Sequence, residues 1–206
     1  CSEIISQLEK MGISFFLQNF HHTFTNWLPF FWKGFSQTTR YTYLIENIKN
    51  IEEVFKNFSP AKQRQIRKAQ KAGITTDTHL SAEDFYEFHC NVLKQKGEEN
   101  LNSKVVELSI IQNALQKGNG VILATRDHAR NLHSALFLVW DKNSAYYLIP
   151  ATDVRFRASG ASTLIVYEAI KYVHEKCLSF DFEGSMSENI ENSYKQFGTQ
   201  QIPYHQ

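Results

Sequence analysis

Three short stretches of this sequence hold residues whose types and spacing suit chemistry. In Arg155-Phe-Arg-Ala-Ser-Gly-Ala-Ser162, a glycine and several small residues sit where a long helix should begin. Free backbone N–H groups and the helix dipole at such a point can hold a pyrophosphate or a carboxylate. The candidates are Arg157, Ser159, Gly160, Ala161 and Ser162, and the plain alternative is a strand-to-helix turn with a flexible glycine. In Phe180-Asp-Phe-Glu-Gly-Ser185, strand alternation puts Asp181 and Glu183 on one face, with Cα atoms about 6.6 Å apart at ~3.3 Å per residue. Two carboxylates this close repel, which raises a pKa and makes one of them a base for an ammonium group. They could equally bind that group's charge, pair with arginines or cap a neighbouring helix. The third stretch, Lys62 to Lys71, has five basic residues and no acid. At ~100° per residue, Arg64, Arg67, Lys68 and Lys71 fall within an arc of about 100° opposite Ile66 and Ala69. Such a ridge meets a phosphate, a tRNA backbone or a nucleotide-linked molecule by charge alone, or is the solvated face of an amphipathic helix.

Other chemistry is poorly supported. His21-His22 and His133 fall in no metal-ligand spacing, so no metal is expected. No G-x-S-x-G elbow is present, which argues against a hydrolase. Cys1, Cys90 and Cys177 are odd in number and far apart, so reduced thiols and a cytoplasmic location are expected, with Cys90 and Cys177 serving as small apolar packing. The aromatic group Trp27, Phe30, Phe31, Trp32 and Phe35 is core, an interdomain contact or the lining of an acceptor pocket. A net charge of +1 gives the whole chain no attraction to a polyanion, so DNA is not an expected partner. The aromatic run Phe15 to Phe35 is broken by Gln18, Asn19, His21, His22, Asn26 and Lys33, so no membrane span is expected. The chain opens on Cys-Ser-Glu, which leads us to expect further polypeptide before it.

The elements that must position these residues read as follows. A helix over 3–11 ends at Gly12, and Ile13 to Phe20 reads as a strand. Thr38 to Ile45 alternates as a strand should. Ser59-Pro60 and Gly73 bracket a helix over 60–72, followed by a strand at 74–78. Ser81 starts a helix with Phe85, Phe88, His89, Val92 and Leu93 at helical spacing, and Val105, Leu108, Ile111 and Leu115 mark another. Strands at 120–126, 132–140 and 145–149 form a meander. A central apolar helix over 161–176 crosses over to a strand at 178–183. Ser185-Met-Ser-Glu188 then reads as a capping box for a last helix, and 200–205 as a closing strand. The order is that of a mixed α/β (α+β) domain.

Taken together, Gln37 to Tyr43, Arg64 to Ala69, Arg157 to Ser162 and Phe180 to Ser185, followed by Ile190-Glu191 and Phe197-Gly198, resemble the FemAB-like branch of the GNAT acyltransferase superfamily. The loop Arg157-x-x-Gly160-x-Ser162 is similar to the acyl-CoA loop of GNAT proteins, with Ser162 at the usual small final position. The resemblance implies a GNAT-like, mainly antiparallel sheet flanked by helices over 51–206. Residues 1–50 would then be the end of a first GNAT-like domain or an interdomain segment. It implies transfer of an acyl or aminoacyl group to an acceptor amine on a small molecule or peptide. Acyl-CoA is the favoured donor, with aminoacyl-tRNA-dependent formation of cell-wall peptidoglycan bridges as an alternative and a non-catalytic binding module as another. The long helical hairpin that serves tRNA in some Fem proteins has no counterpart in the sequence. Glu183, or Asp181 through water, would take the proton, Arg157 to Ser162 would hold the donor, and Arg64, Arg67 and Lys68 would meet phosphate on donor or acceptor. Backbone N–H groups where two strands splay apart would hold the oxyanion.

Overall fold

A computed structural model describes residues 1–206. Its helices begin where the sequence supplies a first-turn acceptor. Asn50, Ser59 and Ser81 each accept from a backbone N–H three residues on, opening α3 (Ile51–Asn57), α4 (Pro60–Lys71) and α5 (Ala82–Gln95). Upstream lie α1 (Ser2–Lys10), the short α2 (Leu28–Phe31) and strand β1 (Thr39–Ile45). After α4 come β2 (Thr75–Asp77), then α5 and α6 (Lys104–Gln116), and then the meander β3 (Gly120–Arg126), β4 (Leu132–Trp140) and β5 (Ser144–Thr152). A 3-10 turn (Val154–Ser159) leads into α7 (Ala161–Val173), followed by β6 (Ser179–Gly184), α8 (Glu188–Lys195) and β7 (Gln200–His205).

The seven strands form one sheet in the order β2-β3-β4-β5-β6-β1-β7. Every neighbouring pair is antiparallel except β5 and β6, which α7 joins as a crossover. Alternation along β3 and β4 separates two layers. Val121, Leu123, Leu136 and Leu138 pack against α7 and α4, whereas Ile122, Ala135 and Phe137 pack against Phe85 of α5 and Ile111 of α6. α7 is buried around most of its circumference, as its largely apolar sequence requires. β1, which precedes Asn50, lies between β6 and β7 in the same sheet as the strands that follow Asn50. No helix is long and apolar enough to cross a membrane.

Three local expectations are corrected. Residues 13–20 form no strand: Phe15 is 77% exposed and Leu17 62% exposed, and the Phe20 N–H to the His205 carbonyl, 2.9 Å, is a single tie rather than a ladder. Phe and Ile suit a strand by propensity, but a strand needs a continuous ladder of backbone hydrogen bonds, which this segment does not make with the edge strand β7. On α6, Ile111 turns inward but Val105 is exposed. The second inward position is Glu107, whose carboxylate accepts from Asn100 Nδ2 at 2.8 Å and meets His89 Nδ1 at 3.2 Å. Finally, α8 starts after Ser187, whose side chain makes no cap bond, and the expected capping box is absent: the Ser185 hydroxyl accepts instead from the Ser187 N–H at 3.1 Å.

Candidate functional site

The parallel pairing of β5 with β6 is short. It runs through Ser144–Ser179, Ala145–Phe180 and Tyr146–Asp181 and then stops. Beyond that point β5 continues to Thr152 beside β4 alone, with a bulge between Tyr147 and Ile149, while β6 continues to Gly184 beside β1. The strands therefore splay apart just past Asp181, leaving backbone without a partner on each side of the gap.

Both sequence-predicted carboxylates sit at this splay. Phe180 and Phe182 point into the α7-side core, so Asp181 points to the other face. There it is 5% exposed and lines a cleft of about 250 Å³ together with Glu183, Thr42, Tyr146, Tyr204 and His22. The expected strand alternation ends one residue too early for Glu183. Its φ of +63° is left-handed, a conformation that costs a non-glycine residue roughly 1–2 kcal/mol. That turn brings the Glu183 N–H onto Asp181 Oδ1 at 2.8 Å, and the Thr42 hydroxyl donates to the same oxygen. Asp181 is thus a held carboxylate with one oxygen committed, and Glu183 is the more open group at the rim. Both have raised pKa values. For Asp181 the cause is burial, opposed by the Thr42 and Glu183 donors. For Glu183 it is loss of solvent around the carboxyl and then the charge of Asp181. This is the arrangement in which a carboxylate holds its proton to higher pH than an ordinary one and becomes a stronger base.

The rest of the cleft was invisible in the sequence. Residues 19–24 lie across it as a strap, tied by the Phe20–His205 backbone bond and by Gln206 Nε2 donating to Asn19 Oδ1 at 2.7 Å. The strap lays His21 and His22 over the carboxylates, their rings 4.1 Å apart. Burial and then the neighbouring His21 lower the pKa of His22, with Asp181 acting the other way. The same two histidines and Tyr146 also line an adjoining cavity of about 620 Å³ that reaches Asp141 and Ser144. Tyr204 closes the far end. Its hydroxyl lies over Gly184, where a Cβ would come within 2.6 Å of it. Only the register of β1 against β6 and of β7 against β1 brings Thr42 and Tyr204 here, and no local pattern announces it. No group of three or more histidine, cysteine or acidic side chains is placed to hold a metal ion.

The donor-loop candidates and the basic ridge are brought together, but on the α7 side of the sheet. Lys68 Nζ donates to the Ala158 carbonyl at 2.6 Å, and Gln65 Oε1 accepts from the Thr163 hydroxyl at 2.6 Å, joining α4 to the start of α7. Arg64 is exposed. Arg67 lies 5.4 Å from the Phe55 ring centroid and donates to Gln63 Oε1 at 3.4 Å. Arg157 is exposed, Ser159 Oγ accepts from the Ala161 N–H at 3.2 Å, Ala161 is buried and Ser162 is half-buried. Gly160 has φ +84°, and a Cβ on it would lie 2.4 Å from the Gln65 carbonyl oxygen. This glycine therefore serves the close approach of α4 to α7, whatever else it does. The loop and the carboxylates lie on opposite faces, with the β5–β6 splay between them.

Known proteins share this architecture. Residues 61–196 match the family model for an acetyltransferase (GNAT) domain. No curated protein matches the chain. Among solved structures, FemX is similar over 98% of this chain and 68% of its own, with a TM-score of 0.69 and 15% identity. The C-terminal domain of a putative lysylphosphatidylglycerol synthetase from Agrobacterium fabrum is similar over 87% and 63%, with a TM-score of 0.65 and 9% identity. A conserved protein of unknown function from Bacteroides thetaiotaomicron is similar over 100% and 66%, with a TM-score of 0.62 and 12% identity. The chain spans about two thirds of the length of each. With a matched domain covering well over half its residues, the chain belongs to the GNAT acetyltransferase-domain family, in the Fem-like form of that fold.

Proposed function

We propose that this chain is an N-acyltransferase that moves an acyl or aminoacyl group from an activated carrier, with acyl-CoA favoured, to an amine on a small molecule or peptide. The observation that carries this reading is the carboxylate pair at the splay of β5 from β6, with Glu183 held in a left-handed backbone conformation and both pKa values raised. In a site of this kind the acceptor enters as an ammonium ion attracted by Asp181 and Glu183. Glu183 takes its proton, directly or with Asp181 through water, and the neutral amine attacks the donor carbonyl. Backbone N–H groups freed by the splay stabilise the oxyanion, and the thiol or tRNA hydroxyl leaves with a proton. Arg157, Ser159, Gly160, Ala161 and Ser162 hold the donor from the α7 side, with Arg64, Arg67 and Lys68 beside them. No covalent enzyme intermediate is needed.

A second reading keeps the site and changes the donor to aminoacyl-tRNA. The fold likeness to FemX and to a putative lysylphosphatidylglycerol synthetase supports it, since the latter name denotes transfer of an amino acid. Equilibrium binding of acetyl-CoA and of charged tRNA to the whole chain separates the two. Mass spectrometry of amine mixtures incubated with either donor tests both, because transfer without Glu183→Gln sensitivity would remove the assigned base, and no acylated product with any donor would leave a binding module.

A further inference from the structure

The carboxylate cleft does not end at Asp181. It shares His21, His22 and Tyr146 with the adjoining cavity of about 620 Å³, so the two run together beneath the strap as one groove. Tyr43, Ile45, Ala145 and Phe180 fill the α7-side core, so Leu44, Ser144, Tyr146 and Asp181 turn to the groove on the opposite face of β1, β5 and β6. One end of the groove holds Asp181 and Glu183, and the other holds Asp141 and Glu46. Asp141 Oδ1 accepts the Ser144 N–H at 2.8 Å, which fixes that second end at the Ser144–Ser179 pair. The first end lies two residues along, at the Tyr146–Asp181 pair, a separation of ~6.6 Å before side chains add their reach. Between the ends stand Leu44, which is buried, and the Tyr146 ring.

The groove is electrostatically one-sided. None of its four carboxylates is in an ion pair, and no lysine or arginine lines either cavity. Asp181 is buried, yet only its Oδ1 is bonded within the protein, by Thr42 and by the Glu183 N–H, and its Oδ2 accepts nothing. A buried carboxylate oxygen without a donor is a seat for one supplied by a ligand. A single ammonium group there answers one end of the groove and leaves the acids of the other end unopposed. The order along the groove is acid, apolar wall, acid, and an alkyl chain with an ammonium group at each end has the matching order.

We propose that this groove takes a linear aliphatic diamine as the acceptor, with the reacting amino group between Asp181 and Glu183, the chain against Leu44 and Tyr146, and the second ammonium between Asp141 and Glu46. The chemistry rests on the acyltransferase reading, whereas the binding does not. The new C–N bond forms as the carrier's C–S or C–O bond breaks; one ammonium proton passes to Glu183, a second leaves on the carrier thiol or hydroxyl, and the distal ammonium keeps all of its own. Two readouts on the whole chain test the proposal. Calorimetric titration without donor compares diamines of increasing length with hexylamine and with free lysine, and mass spectrometry measures acylated product from the same amines with acetyl-CoA or charged tRNA. Affinity and kcat/KM should peak at a chain of about four to six carbons, as the ~6.6 Å spacing plus side-chain reach requires. At that length both should exceed the hexylamine values at least about tenfold, because hexylamine leaves one acidic end unpaired. Lysine, whose carboxylate would meet Asp141 and Glu46, should fall below 1,5-diaminopentane. Asp141→Asn combined with Glu46→Gln should cut the preference for diamine over hexylamine at least about fivefold. Glu98→Gln, at an exposed carboxylate beyond α5, should not, and matched melting temperatures would exclude unfolding as the cause. Selective diamine binding without any acylated product would leave the diamine as the groove's ligand and refute the transferase reading. Equal transfer to hexylamine and to diamines would keep the transferase and overturn the diamine. The proposal fails equally if no diamine binds at millimolar concentration, or if the double variant leaves the preference unchanged.

Discussion

Gly160→Ala has a consequence that can be worked out from two features of the site. The glycine has φ +84° and ψ 0°, where alanine pays roughly 1–2 kcal/mol for the left-handed conformation. The new Cβ would also stand 2.4 Å from the Gln65 carbonyl oxygen and 3.2 Å from its carbon. Those are backbone atoms of α4, which cannot swing aside, so relief requires moving α4 off α7. Overpacking of that kind costs about 1–3 kcal/mol. Together the two terms predict a loss of about 2–5 kcal/mol, which for a chain of this length lowers Tm by roughly 4–20 °C. Gly118→Ala is the matched control, since Gly118 has φ +70° and nothing within 4 Å of where its methyl would stand, leaving the strain of about 1–2 kcal/mol alone. Urea unfolding followed by circular dichroism on both variants measures the difference. Equal losses would refute the claim that α4 and α7 depend on this glycine for their approach. If Gly160→Ala were as stable as Gly118→Ala but bound donor poorly, the glycine would instead be kept for ligand approach.

Further outcomes follow from the same geometry. Glu183→Gln should lower acyl transfer by about 10²–10⁴-fold in a product assay while leaving the melting curve in place. Because the charge of Asp181 helps raise the Glu183 pKa, Asp181→Asn should move the acid limb of the rate-against-pH curve to lower pH; an unmoved limb would mean that Glu183 is not the titrating base. Lys62 is buried with no acidic partner, its Nζ donating to Ser193 Oγ at 3.0 Å and lying 4.3 Å from the Phe197 centroid, and burial lowers its pKa from 10.5 to about 8. Between those two values the unfolded chain binds the extra proton, so stability rises with pH across that window. Lys62→Met should therefore stabilise the protein by about 1–3 kcal/mol below pH 8 and lose that advantage by about pH 10.5, as read from paired urea titrations. Glu107→Ala should cost about 1–3 kcal/mol by leaving the half-buried side chains of Asn100 and His89 without their acceptor between α5 and α6, measured the same way.

Much of the fold could be read residue by residue. Ser59, Ser81 and Gly73 mark helix ends through bonds and dihedral angles that depend on their immediate neighbours, and each does so in the structure. The meander and the buried α7 follow from periodicity, because burial on one face or on all faces writes itself into the apolar pattern. Residues 13–20 show where this reasoning stops. Their Phe and Ile content suits a strand, but a strand also needs a ladder of backbone hydrogen bonds, and this segment meets the edge strand β7 through one such bond alone. Glu107 fails in the opposite sense. A carboxylate reads as surface until His89 and Asn100 are seen to converge on it.

By itself, the sequence determined the residue types available for chemistry at Asp181 and Glu183, the basic ridge on α4, and the order of elements that matches a GNAT-type domain. These depend on neighbours no more than a few positions away, and local sterics and periodicity set them. Tertiary structure alone decided that β5 leaves β6 just past Asp181, that Thr42 and Tyr204 come beside the carboxylates, and that His21 and His22 cross above them. It also put the loop at Gly160 on the other face of the sheet, against α4. The physical reason is that strand register and the path of the strap are fixed by hydrogen bonds between residues more than a hundred positions apart, such as Thr42 to Asp181 and Phe20 to His205, which leave no periodic trace in the chain.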